Sequence, residues 1–165
     1  MTGAFSLMRR SIMLLALGGA AITVHAEVVA PALTFTSIDG QKLRLSELRG
    51  KVVLVTFWAT TCAICLVEQP ELVQTYRRYR PRGLEVVAVA MPYDRLDLIR
   101  QHIAKYPMPF PVVWDKDGDI GRQFRDIPGT PTTFIVDKKG HLVSKTVGAI
   151  DFAKLRSFLD ATLRG

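Results

Sequence analysis

An α/β fold built on a mixed central sheet is predicted by three features of this sequence. Val52–Trp58 is almost wholly β-branched or aromatic, with only Thr56 polar, as expected of a strand covered on both faces. A second run, Leu84–Ala90, apolar but for Glu85, follows a stretch of helical spacing, which makes a strand, helix, strand unit with a right-handed crossover and a parallel strand pair. A hairpin pattern over residues 132–147 then adds antiparallel neighbours. The chain of 165 residues, 48% of them hydrophobic, is long enough for one compact domain with a sizeable core.

Residues 1–26 read as a signal peptide. Arg9 and Arg10 supply a positive start, Ile12–Val24 an uncharged apolar stretch, and Val24-His25-Ala26 a small-residue cleavage pattern before Glu27. The apolar stretch is short for a membrane span, which needs roughly 20 residues, so cleavage is expected rather than an uncleaved anchor. The Arg9-Arg10 pair matches a twin-arginine signal only in part, and general secretion fits as well. A domain over 27–165 acting outside the cytoplasm, in the periplasm, follows. Without Arg9 and Arg10, the only charged residues removed, the net charge falls from +7 to +5. Arg77, Arg78, Arg80 and Arg82 form the one dense basic cluster, at the expected end of a helix, where cations complement the dipole and the last carbonyls. With no aromatic interleaving and no second patch, nucleic-acid binding is not expected.

Within the domain, Leu33–Thr36 and Leu43–Leu45 flank Asp39-Gly40, a dipeptide that tolerates positive φ, and predict an N-terminal β-hairpin. Ser46–Gly50 predicts one helical turn with Ser46 as cap and Gly50 as stop. After the central strand, a helix from about Cys62 to Tyr79 places Leu66, Val67, Leu72, Val73 and Tyr76 toward the sheet, with a kink expected at Pro70. Beyond Ala90, a helix over 94–106 with Asp94 as N-cap, a short strand Val112–Trp114 and a short helix Asp119–Phe124 are predicted. Thr132–Val136 and His141–Val147 form a hairpin, and Asp151–Leu163 is the last helix, with Phe152, Leu155, Phe158, Leu159 and Leu163 on its apolar face.

The chemistry concentrates at Cys62 and Cys65, the only cysteines, spaced Cys-x-x-C where the central strand passes into the helix. A disulfide closing so small a loop constrains the unfolded chain by only about 2 kcal/mol, too little to explain the pair as a structural staple. A zinc site wants four ligands, and beyond residue 26 only His102 and His141 remain, far apart in sequence; both read as surface or partly packed. A dithiol/disulfide redox site is the remaining reading. Cys62, at the helix N-terminus, faces free amides and the positive end of the dipole, which favour its thiolate, so it is the expected attacking sulfur. Cys65, one turn further in, resolves the mixed disulfide. Glu68 lies three residues on, on the same helical face, and if buried can accept or return the proton of Cys65.

The chain resembles the thioredoxin fold and, more narrowly, the exported TlpA/ResA/CcmG-like disulfide reductases. The resemblance rests on Asp39-Gly40, on the segment Leu45-Ser46-Glu47-Leu48-Arg49-Gly50-Lys51, on Phe57-Trp58-Ala59 before the cysteines, on Glu68 and Pro70, and on Gly129-Thr130-Pro131-Thr132. It implies a three-layer fold with helices on both faces of the sheet. It also implies that residues 91–114 are an αβ insert, and the stretch from Ala90 to Thr132 is indeed far longer than the dozen or so residues of a plain crossover. Two departures stand out: Thr61 replaces the usual Trp before the first cysteine, and Thr56 stands where thioredoxin has a buried aspartate. The vacant role of that aspartate is the one assigned to Glu68. The resemblance further implies a cis bond at Pro131 beside the disulfide, exposing the backbone of Thr130 to an extended substrate. Trp58, Thr130 and Pro131 are therefore the expected substrate-binding residues.

The function expected is reduction of protein disulfides by a monomeric, cofactor-free enzyme recharged by a membrane thiol-disulfide electron donor, with cytochrome c maturation as a setting the resemblance implies. The alternatives are a periplasmic oxidant or isomerase and a copper-binding chaperone of the SCO type, though that family separates its cysteines by three residues and adds a histidine. Thiol peroxidase chemistry needs Pro-x-x-x-Thr-x-x-Cys, and Trp58 and Cys62 occupy the Pro and Thr positions when Cys65 is last.

Overall fold

The computed structural model describes residues 28–125 and 127–164. The expected signal peptide therefore lies outside the described residues. Seven strands and four α-helices occur among them in the order β1 (Thr34–Thr36), β2 (Lys42–Arg44), β3 (Val52–Trp58), α1 (Ala63–Tyr79), β4 (Leu84–Ala90), α2 (Leu96–Lys105), β5 (Val112–Trp114), α3 (Asp119–Gln123), β6 (Thr132–Val136), β7 (Leu142–Val147) and α4 (Phe152–Thr162). Strands β5-β4-β3-β6-β7 make one sheet, with β1 and β2 as a separate hairpin. β3 pairs in parallel with β4 along its whole length, Val52 opposite Leu84 through Trp58 opposite Ala90, and antiparallel with β6.

β3 is thus central, and all seven of its residues are buried. Because side chains alternate across a strand, Val52, Leu54 and Trp58 enter one core with α1, Ile99 of α2, and Phe152, Leu155 and Leu159 of α4. Val53, Val55 and Phe57 enter a second core, covered by Leu33 and Phe35 of the hairpin region, Leu45 and Leu48 of a 3₁₀ turn, and Phe124 after α3. Helices lie on both faces, but the three long ones share the first. Phe57 anchors the second face by edge contacts to Phe124 (5.5 Å between centroids) and Phe134 (6.0 Å).

Several local expectations are corrected. The turn before β3 is a 3₁₀ helix over Leu45–Leu48, so Ser46 lies inside it and caps nothing; burial of Leu45 and Leu48 starts the turn one residue earlier. Val67 does not face the sheet but is 81% exposed, while the polar Gln69 and Thr75 are buried. Leu66, Leu72, Val73 and Tyr76 do pack on that face as expected; only Val67 lies off it, and the face also buries hydrogen-bonding side chains. α1 carries Pro70 inside it, as the sequence placed it, and ends at Tyr79 as expected. At its end Arg78 and Arg82 stack on Tyr79, and Arg82 also pairs with Asp160 of α4 at 2.7 Å. The basic cluster is in part a packed helix end. Gly40 (φ +89°) closes the first hairpin, and Gly140 (φ +83°) sits under the Arg49 guanidinium, where a Cβ has no room.

Phe57→Ala should lower unfolding stability by about 3–5 kcal/mol, because it empties the aromatic centre of the second face while leaving the redox face intact. Urea titration monitored by circular dichroism measures this, and a loss under about 1 kcal/mol would show that the surrounding rings collapse into the space.

Candidate active site

The site is built where β3 gives way to α1. Cys62 is the N-cap of α1, in extended conformation, and its Sγ accepts the Cys65 amide at 3.2 Å. A free amide of the first turn thus points at this sulfur. The two cysteines form a disulfide, with Cα atoms 5.3 Å apart. Cys62 is half-buried, whereas Cys65 is only 5% exposed. An incoming partner therefore has access to the first sulfur and little to the second. The spacer residue Ile64 and, one turn on, Val67 are exposed, giving the entrance an apolar rim.

The connecting loop is fastened from the insert. Asp94 was expected to cap α2, but α2 begins at Leu96 with Arg95 as N-cap and no side-chain cap. The Asp94 carboxylate instead accepts the Thr60 amide at 2.6 Å, the Thr60 hydroxyl at 2.7 Å and the Arg95 amide at 2.8 Å. These bonds satisfy the carboxylate in a place where it is 7% exposed. The amide and hydroxyl of Thr60, two residues before Cys62, offered a stronger site than the helix start.

Glu68 lies one turn below Cys65 and is half-buried. Burial raises its pKa above the ordinary 4.5, opposed by the Ile150 amide, which donates to Oε2 at 3.0 Å. Glu68, Cys65, Thr56, Trp58 and Gln69 line one cavity of about 20 Å³, roughly the space of one water. Thr56 is buried and accepts the Thr133 hydroxyl at 3.0 Å. Gln69 closes the other side: its amide donates to the Tyr106 carbonyl at 3.2 Å and its oxygen meets His102 Nε2 at 2.6 Å. His102 stacks between Trp58 and Tyr106, at 5.4 and 5.1 Å, and burial lowers its pKa against the opposing charge of Asp94. His102 is therefore partly packed, within the range the sequence allowed, and forms part of the site's wall.

Thr130 and Pro131 are joined by a cis peptide bond. Thr130 is half-buried, and its hydroxyl lies 3.4 Å from that of Tyr93, an exposed insert residue; Pro131 is buried, and its carbonyl accepts the Gly148 amide. Trp58, expected to meet substrate, is only 4% exposed beneath His102 and is a core residue, because its position on β3 points it into the first core. Among the described residues no cluster of three or more His, Cys, Asp or Glu is placed to hold a metal, and no helix is long and apolar enough to cross a membrane.

Residues 27–145 match the AhpC/TSA family. Over 131 residues the chain is 32% identical to the thiol-disulfide oxidoreductase ResA of Bacillus thuringiensis subsp. konkukian, covering 79% of this chain and 74% of that protein. The chain belongs to the AhpC/TSA family, among its ResA-like thiol-disulfide oxidoreductases. ResA of Bacillus subtilis is 28% identical over 79% of this chain and 72% of its own. Among solved structures, a thioredoxin-family thiol:disulfide interchange protein from Chlorobium tepidum TLS superposes with a TM-score of 0.77 at 26% identity, covering 85% of this chain and 99% of that one. The fold is thioredoxin-like and the activity is thiol-disulfide oxidoreduction, with the Cys62–Cys65 pair at disulfide distance. Sequence reasoning missed three parts of this family member's site: Asp94 with Thr60, the Gln69 and His102 pair, and the Ile150 amide. Gln69 was findable, since it lies four residues after Cys65 and so on the same helical face.

The raised pKa of Glu68 gives a pH-dependent stability with a definite sign. Because the folded protein holds this proton more tightly than the unfolded chain, the associated stability is complete below about 4.5, the ordinary value, and is lost as pH rises through the higher folded value. In the oxidised protein, the stability of Glu68→Gln relative to wild type should therefore rise with pH across that window and then level off. Urea midpoints at a series of pH values measure it, and a constant difference would mean that Glu68 is not desolvated.

Proposed function

We propose that this protein is an exported reductant of protein disulfides, in which Cys62 attacks and Cys65 resolves. The observation that carries the assignment is the asymmetry of the two sulfurs: Cys62 is accessible and caps the helix, whereas Cys65 is buried beside Glu68. In the reduced enzyme the Cys62 thiolate attacks one sulfur of a substrate disulfide, forming a mixed disulfide and releasing the other substrate sulfur as a thiolate. Cys65, as thiolate, then attacks Cys62 Sγ, releases the second substrate sulfur and leaves the Cys62–Cys65 disulfide. Two electrons pass to the substrate. Glu68 takes the proton that Cys65 must lose, since its raised pKa makes it a better base than an exposed carboxylate.

Thr130 and Pro131 form the wall along which an extended substrate segment lies, with the backbone of Thr130 supplying strand-like hydrogen bonds. The export reading rests on residues 1–26, whose charged start, apolar stretch and Val24-His25-Ala26 end make a cleavable signal. In an oxidising compartment a reductant needs recharging, hence a membrane electron donor carrying cytoplasmic equivalents outward. Cytochrome c maturation, in which cysteines must be kept reduced, is the setting the ResA resemblance favours. The direction of flow rests on the spacer: Ala63 and Ile64 bring neither charge nor side-chain donor to the Cys62 thiolate, so its stabilisation is moderate.

Iodoacetamide at neutral pH should modify Cys62 before Cys65 in the reduced protein, read by peptide mass spectrometry; preferential labelling of Cys65 reverses the roles. Cys65→Ser expressed with its natural leader should accumulate mixed disulfides on Cys62, whose partners identify the substrate. Equilibration with glutathione should place the potential toward about −270 mV, the thioredoxin value, and a potential more oxidising than about −180 mV would favour the oxidant or isomerase.

A further inference from the structure

Asp94 is a carboxylate over nine-tenths buried that pairs with no cation among the described residues. The neighbouring Arg95 guanidinium is turned away and holds Asp97 at 2.7 and 3.1 Å. His102, which feels the charge of Asp94, has its pKa lowered overall by burial and makes its hydrogen bond to Gln69 instead. The carboxylate is held only by the Thr60 amide, the Thr60 hydroxyl and the Arg95 amide. Two of these three donors belong to the loop that ends in Cys62, whose own amide is bonded back to Ala59 at 3.0 Å.

We propose that Asp94 is a positioning residue for the reaction: it clamps the Thr60 segment so that Cys62 stays at the helix cap, and its uncompensated charge opposes the helix terminus and limits how far the Cys62 thiolate is stabilised. The helix end alone favours the thiolate. A negative charge anchored to Thr60, two residues before Cys62, acts in the opposite sense, because the Asp94 carboxylate is itself buried and so less screened than a surface charge. The balance keeps the thiol in the range suited to a reductant, and adds a control from the insert to the absence of support from the Cys-x-x-C spacer. This rests on the reading that Cys62 is the attacking sulfur.

The charge and the clamp separate experimentally. Asp94→Asn keeps an acceptor for the Thr60 amide but removes the charge, so the pH at which Cys62 becomes a thiolate should fall and its alkylation near pH 6 should accelerate by about tenfold. Thr60→Val keeps the charge but deprives it of one donor, so the same rate should fall, whereas Thr60→Ser should restore it. Thiolate absorbance and site-resolved alkylation of each reduced protein provide the readings. A clamp that merely held the loop in shape would move Asp94→Asn and Thr60→Val in the same direction, and either that outcome or unchanged profiles would overturn the proposal. If Asp94→Asn does not fold, Thr60→Val against Thr60→Ser decides, equal rates being the adverse result. Wild-type labelling at Cys65 first would instead count against the assignment of Cys62.

Discussion

The junction between β3 and α1 is the constraint on which the rest depends. A strand buried at every position turns within four residues into a helix whose N-cap is a sulfur. That geometry brings the Cys65 amide and the helix dipole to bear on Cys62 and leaves Cys65 inside. β4 and β6 fix the strand on either side, in full register with the first and over five residues with the second. The two cores, one above and one below the sheet, then determine which side of the strand the sulfurs emerge on.

Around this junction two acidic side chains are held in contrasting ways. Glu68 is half-buried with one backbone donor, so desolvation prevails and the carboxyl favours its proton. Asp94 has three donors, two from one residue, and these replace the water it has lost. The first arrangement suits a group that exchanges protons with a buried thiol. The second suits a fixed anchor, and the difference lies in the number and direction of hydrogen bonds rather than in residue type.

The insert of α2 and β5 is more than an extension of the sheet edge. Its residues reach the site at Asp94 beneath the redox loop, at His102 against Trp58 and Gln69, and at Tyr93 beside Thr130. Gln69 ties the redox helix to the Tyr106 carbonyl at the far end of α2. Movement of α2 relative to α1 would therefore be felt both at the loop before Cys62 and at the cavity beneath Cys65.

The sequence alone determined the strands and the redox pair. Val52–Trp58 and Leu84–Ala90 were legible to the residue because a strand buried on both faces leaves no polar alternation to blur its ends, and Cys-x-x-C after such a strand admits few other chemistries. The resemblance to known reductases added the Thr130-Pro131 loop, which no local pattern reveals. What tertiary structure decided was the destination of polar groups whose partners lie far along the chain. Asp94 has the composition of a helix cap yet bonds to Thr60, His102 finds its partners in Gln69 and Trp58, and Glu68 accepts the Ile150 amide. A buried polar side chain goes wherever the fold presents the best unsatisfied donors, and that is fixed only when strands distant in sequence have paired.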